Sequence, residues 1–159
     1  MTITKNLHQA IDNLPLFSSG EQTLEIDDAA GRLECRLVAL DSMACAFTRL
    51  SLRAPALAGL STDGLKQTAE RLSARLTYLL EPISPIELDS HGCVVQMRST
   101  PPQKDSDRTS YYELLVSRAG ELSLVRYTRV GSDPREVIPA QVTREVLIRL
   151  TGDFAAAAS

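Results

Sequence analysis

The chain holds 159 residues, with 43% hydrophobic and 23% charged side chains and a net charge of -3 from 17 basic and 20 acidic groups. That length suits one domain around one core; the composition is too apolar for a disordered chain and too evenly charged for a nucleic-acid-binding arm. No apolar run approaches the roughly 18 residues that cross a bilayer, and residues 1–14 lack the charged start and apolar centre of a secretory signal, so a cytoplasmic protein without membrane attachment is expected.

Ile3, Leu7, Ala10, Ile11 and Leu14 recur at helical spacing and Pro15 closes the segment, which predicts an N-terminal helix. Three strand-like runs follow. Glu21 to Asp27 leads through the turn Asp28-Ala29-Ala30-Gly31 into Arg32 to Leu40, and a turn at Asp41-Ser42 returns the chain along Met43 to Arg53. With two residues in that second turn, Glu34 faces Arg49 across the strands. Alternation then sets Leu33, Cys35, Leu37 and Ala39 on one face with Ala46, Thr48 and Leu50. The other face carries Arg32, Arg36, Arg49 and Arg53 at one end, and Val38, Leu40, Met43, Cys45 and Phe47 at the other. Both faces are thus expected to be apolar near the turn.

A second helix starts at Ser61 or Thr62 and buries Leu65, Ala69, Leu72, Leu76, Leu79 and Leu80. Lys66 pairs with Glu70 on its wet side and Pro82 stops it. Beyond Pro85 comes a hairpin, Ile86 to Leu88 and Cys93 to Arg98, turning at Asp89-Ser90-His91-Gly92. Residues 99–109 are polar and interrupted by two prolines, which predicts a mobile loop. A second hairpin joins Tyr111 to Ser117 with Leu122 to Val130; a turn at Ala119-Gly120 opposes Glu113 to Arg126, Arg118 to Glu121 and Tyr112 to Tyr127. The last helix begins near Pro139, with Val142, Val146, Leu147, Leu150 and Phe154 on one side and Glu145 paired with Arg149 on another. The expected fold is a single α+β domain over residues 1–159. It has one antiparallel sheet, in the order α-βββ-α-ββ-ββ-α, with helices packed on it.

Chemistry-bearing motifs are sparse. The three cysteines, Cys35, Cys45 and Cys93, are odd in number, form no Cys-x-x-Cys pair and sit among apolar neighbours, so buried reduced thiols are expected. His91 and Cys93 are close in sequence, but a turn tip and a strand entry rarely meet as nucleophile and base, and zinc needs about four ligands. Turn formation accounts for Asp27 and Asp28. No phosphate-binding glycine loop, dinucleotide fingerprint or nucleophile elbow is present. No catalytic residue, metal ligand or cofactor is therefore expected, nor any nucleic-acid partner in a chain with no Trp, three Phe and four Tyr.

Two features remain. Lys5, Lys66 and Lys104 are the only lysines, so Arg carries most of the positive charge, and Arg32, Arg36, Arg49 and Arg53 fall on one sheet face. Such a group suits a solvated face that pairs with acids of neighbouring strands, with docking of carboxylates or phosphates as the alternative. A cavity between the sheet and the helix 61–80, with Tyr112, Arg126 and Glu113 as its polar groups, is the alternative site, for a small anionic ligand or a reaction.

The order helix, three antiparallel strands, helix, further strands and a closing amphipathic helix resembles the class I type III secretion chaperones and the related YbjN-like domains of bacteria. Leu72 to Leu80 followed by a hairpin, and the closing stretch Val142 to Phe154, carry the resemblance. It implies a small, non-enzymatic, commonly dimeric protein that binds partner polypeptides. The apolar face points the same way, because helices on one side of a sheet bury only one face. The expected interface, for another polypeptide or a second copy, comprises Arg32, Arg36, Val38, Leu40, Met43, Phe47, Arg49 and Arg53.

Overall fold

The computed structural model describes residues 2–79, 81–89, 91, 94–99 and 102–158. In chain order these form α1 (Thr2–Asp12), β1 (Gln22–Asp28), β2 (Gly31–Leu40), β3 (Ala44–Arg53), a short 3-10 turn (Pro55–Leu57), α2 (Thr62–Arg75), β4 (Ile83–Asp89), β5 (Val94–Ser99), β6 (Gln103–Asp105), β7 (Arg108–Ser117), β8 (Glu121–Val130), β9 (Glu136–Ile138), β10 (Ala140–Thr143) and α3 (Arg144–Ala157). Among the described residues the ten strands make one antiparallel sheet, ordered β1-β2-β3-β8-β7-β5-β4. The chain adopts the α+β arrangement expected of it. Three short strands are added: β10 pairs with the first half of β3, β9 with the second half of β8, and β6 with the opening of β7.

The helices form where apolar spacing and capping coincide. Ile3, Leu7 and Ile11 give α1 one fully buried stripe. The Ser61 hydroxyl accepts from the Gly64 amide at 3.1 Å at the start of α2, and Thr143 accepts from Val146 at 3.1 Å at the start of α3. α1 packs on α3, α3 on α2, and α2 on β4, β5 and β7, so all three helices share one side of the sheet. Between them lie Leu33, Cys35, Leu37, Leu50, Leu52, Leu114, Val116, Leu122 and Leu124 of the sheet, each buried in the core.

The β2–β3 hairpin departs from the expected register, with consequences for both faces. The Asp41 carboxylate accepts from the amides of Met43 and Ala44, at 2.8 and 2.6 Å, and draws the turn out to four residues. These two backbone donors hold the Asp41 carboxyl below its ordinary range. Arg36, not Glu34, therefore opposes Arg49, and Glu34 opposes Ser51. Leu37 then pairs with Phe47 and Ala39 with Ala46, leaving Val38 and Thr48 out of step. One extra residue in each strand turns the far half of the hairpin over, since side chains alternate with a period of two. Leu40, Cys45 and Phe47, expected on the open face, are delivered to the helix side, at most 4% exposed. Ala39 and Ala46 take their place outside. Met43 alone of that apolar group stands free, 75% exposed at the turn, while Val38 is half-buried. The expectation of more apolar sheet surface than the helices can hide is overturned.

The second hairpin is shifted by one residue. Its loop has three residues, Arg118-Ala119-Gly120, with Gly120 at φ +98° and its amide donating to the Ser117 carbonyl at 3.0 Å. Tyr111 opposes Tyr127, Tyr112 opposes Arg126, Glu113 opposes Val125 and Ser117 opposes Glu121. Leu122 and Leu124 accordingly join Leu114 and Val116 in the core, and Leu115 faces away. Residues 103–105 and 108–109, expected within a loop, pair as strands β6 and β7. Pro139 separates β9 from β10 rather than opening the last helix, which starts at Arg144. α2 ends at Arg75, yet Leu76 and Leu79 remain buried beyond it; Leu80 and Cys93 lie outside the described residues.

Beyond its end, α2 is fastened to α3 by polar groups. The Tyr78 hydroxyl donates to Asp153 Oδ2 at 2.6 Å, Arg75 reaches Oδ1 at 3.3 Å, and the Arg149 guanidinium lies 4.0 Å from the Tyr78 ring centroid. Burial, then the bond to Asp153, pushes the Tyr78 phenol well above its ordinary range. Above about pH 10 the unfolded chain releases a proton that the folded chain retains, so the stability from this group is full below that pH and falls as pH rises. Melting temperature measured from pH 8 to 11 is expected to drop less steeply in Tyr78→Phe than in the parent. At neutral pH the same variant is expected to lose about 1.5 kcal/mol, the scale of a hydrogen bond to a charged acceptor.

Candidate binding surface

The helix-free face of the sheet carries a cluster of charged groups on β2 and β3. Gly31 and Arg32 open β2 beside Arg53 of β3, and alternation places Glu34, Arg36, Arg49 and Ser51 on the same side. Arg32, Arg36, Arg49 and Arg53, singled out from the sequence, are brought together around a cavity of about 350 Å³ that also includes Glu34, Ser51 and Glu121. Each arginine has an acidic partner. Arg32 pairs with Glu25 and, at 3.0 Å, with Asp27 of β1; Arg36 pairs with Glu34 at 2.9 Å. Arg49 and Arg53 share Glu121 of β8, the latter at 3.0 Å. Four guanidinium groups thus meet Glu25, Asp27, Glu34 and Glu121 in a lattice without net charge. Its exposed pairs contribute little individually, about 0–1 kcal/mol each. Ser51, among these residues, is 7% exposed without a helix above it.

Next to this lattice, at the turn end of β2 and β3, is a groove of about 520 Å³ whose lining includes Leu16, Phe17, Ala39 and Ala46. The backbone of Phe17 bridges that of Leu40, which fixes one wall. Leu16 is 61% exposed, and Met43 stands nearby in sequence at the tip. Of the interface expected from sequence, Arg32, Arg36, Arg49, Arg53 and Met43 are accessible, whereas Leu40 and Phe47 belong to the core.

A cavity near the alternative site lies on the helix side of the sheet, but no residue of α2 lines it. Leu79, Glu81, Gln103, Tyr112, Arg126 and Pro139 are among the residues around about 420 Å³. Tyr112 and Arg126 meet there, with the guanidinium 4.6 Å from the ring centroid, but Glu113 lies on the opposite face of the sheet. Arg126 is neutralised by Glu81 at 3.1 Å, both nearly buried. Burial pushes the Tyr112 phenol up, so it stays protonated at neutral pH. Among the described residues no nucleophile is paired with a base in this cavity, and its arginine is already bound to Glu81. Cys35 and Cys45 are equally quiet: burial pushes Cys45 up to about 11, and pushes Cys35 up as well.

A further basic region, which sequence reasoning missed, occupies the other end of the helix-free face. Arg98 of β5 lies 4.7 Å from the Tyr111 ring centroid, and Arg135 lies 3.8 Å from that of Tyr127. Between them Glu113, 4% exposed, accepts from Gln96 Nε2 at 2.7 Å and Arg135 Nη1 at 2.6 Å. The bond from Arg135 to Glu113 holds the Arg135 guanidinium above its usual range. The only sequence signal for this region was the Tyr111-Tyr112-Glu113 run.

Among the described residues no three His, Cys, Asp or Glu are grouped to hold a metal, and no helix is long and apolar enough to cross a membrane. The chain matches no family model, no curated protein and no solved structure.

Proposed function

We propose that the protein is a non-catalytic, chaperone- or adaptor-like module that binds another polypeptide or a second copy of itself through the helix-free face. The observation that supports this reading is the one-sided packing of the helices, which leaves the Arg32–Arg53 lattice and the Leu16–Phe17–Ala46 groove side by side and open. Arginine forks at the edge of an apolar contact are typical of protein interfaces, where Met and Arg are enriched. Exposed Met43 adds an adaptable contact at the tip. The order of elements, which resembles type III secretion chaperones, agrees with a small binding module kept in solution by its negative charge.

Sedimentation velocity across the micromolar range, combined with cross-linking and mass spectrometry of the protein purified from its own cells, tests the reading. The expected result is a complex with a second chain whose cross-links fall on the helix-free face. Met43→Glu with Arg49→Glu is expected to weaken it by about tenfold or more, as for loss of central contacts. A monomer throughout that range, with no cross-linked chain or with cross-links confined to the helices, overturns it.

A further inference from the structure

The basic end of the helix-free face encloses a cavity of about 750 Å³ whose charged lining residues are all cations: Arg98 of β5, Lys104 of β6, Arg129 of β8 and Arg135 before β9. Tyr111 of β7 forms part of its wall. Among the described residues a single carboxylate answers them. Glu113 bonds Arg135 and lies 3.7 Å from Arg98 Nε, too far for a hydrogen bond. Arg129 donates to the carbonyl oxygens of Asp133 and Ser132, at 2.9 and 3.2 Å, which satisfies the guanidinium without offsetting its charge. Lys104 is exposed and has no acidic partner among the described residues. The contrast with the opposite end of the face is sharp: there four arginines meet four carboxylates, and here four cations meet one, in a chain whose net charge is -3.

Arg98 Nε is shielded from solvent and has no hydrogen-bond acceptor among the described residues. Orphan donors of that kind in a folded protein mark positions for water, an ion or a ligand. Arg98 and Arg135 also lie over the rings of Tyr111 and Tyr127, so two forks are set in place before anything binds.

We propose that this cavity is a binding site for a small polyanion carrying phosphate-type oxygens, held by Arg98, Lys104, Arg129 and Arg135. A monocarboxylate would neutralise one of the three excess charges. A phosphoryl group brings a charge of about -1.5 to -2 and three acceptor oxygens, and guanidinium forks match those oxygens two at a time. The volume falls within the range of about 300–1,000 Å³ usual for small-molecule sites, which suits an organic phosphate or short polyphosphate better than a lone ion. The site is independent of the polypeptide-binding reading, since it uses none of the same residues.

Titration calorimetry with tripolyphosphate, inorganic phosphate and citrate, at one ionic strength, tests it. Tripolyphosphate is expected to bind saturably, about tenfold or more tightly than either of the others, and to raise the melting temperature because it binds only the folded chain. Lys104→Gln and Arg129→Gln are each expected to weaken it by about tenfold, the scale of one charge-assisted contact. Lys104→Gln touches no internal hydrogen bond, so its loss of binding does not depend on refolding the 131–135 loop. Arg36→Gln, at the far end of the face, is expected to leave the affinity unchanged. Absence of saturable tripolyphosphate binding, undiminished binding in Lys104→Gln and Arg129→Gln, or citrate binding as the tightest of the three overturns the assignment.

Discussion

Phe47→Ala is expected to lower the free energy of unfolding by about 3–5 kcal/mol, the range for truncating a buried aromatic side chain. Phe47 is 1% exposed, opposite Leu37 on one side and Ala140 on the other, on the face of β3 against which α3 packs. Nothing in that setting collapses readily: Leu37, Leu50 and Ala140 are each fully buried and held by strand pairing. Met43→Ala, four residues earlier, is expected to change stability by less than about 0.5 kcal/mol, because its side chain is 75% exposed. Urea denaturation of the two variants beside the parent measures both. In a hairpin without the irregularity at Val38 and Thr48, the two side chains would share the open face and their losses would be similar and small. Equal, small losses would therefore reject the turned-over hairpin.

Gly31→Ala is expected to cost about 3 kcal/mol or more, through two effects that add. Gly31 has φ +148°, a region that residues with a Cβ rarely adopt. A Cβ built there would also lie 2.2 Å from the Arg53 carbonyl oxygen and 3.0 Å from Ala54 Cα, both backbone atoms that cannot swing aside. The β1–β2 turn is tight, with Asp28 opposite Gly31 and the Asp28 carboxylate accepting from the Ala30 amide at 2.7 Å. Relief of the clash would have to part β2 from β3 at Arg32 and Arg53, the pair that opens the arginine lattice. The same variant is thus expected to loosen that lattice, seen as faster amide exchange in residues 31–34 and 51–54. A loss below about 1 kcal/mol, as for an unconstrained glycine, would contradict this close approach.

The element order and the buried stripes of α1 and α2 were legible because apolar residues at three- and four-residue spacing are visible in a linear string. So was the gathering of Arg32, Arg36, Arg49 and Arg53 on one face, which needs only alternation within two strands. What defeated the reading was local geometry with no compositional mark. Val38 and Thr48 are ordinary strand residues, and nothing in them announces a break in step. The four-residue turn at Asp41 arises from a side chain bonding its own backbone, and it moves the register by two. The three-residue loop before Glu121 did leave a sign, a glycine at its third position, which a two-residue count overlooked. Strand β6, Gln103-Lys104-Asp105, is fully exposed and so has no apolar alternation to reveal it.

The candidate sites were legible only in part, for a related reason. The charge of a cluster depends on which strands lie beside it. Glu121 reaches Arg49 and Arg53 from more than sixty positions along the chain. The basic cavity draws its cations from β5, β6, β8 and the segment before β9, so no window of sequence contains it.

β3 and β8 are joined directly only from Leu50 to Arg53, and elsewhere β10 and β9 occupy their facing edges. Those two strands come late in the chain. Without residues 136–143, the first half of β3 and the second half of β8 would each present a row of bare amide and carbonyl groups. One short stretch thus shields two edges at once, and its loss leaves both free to pair with another chain.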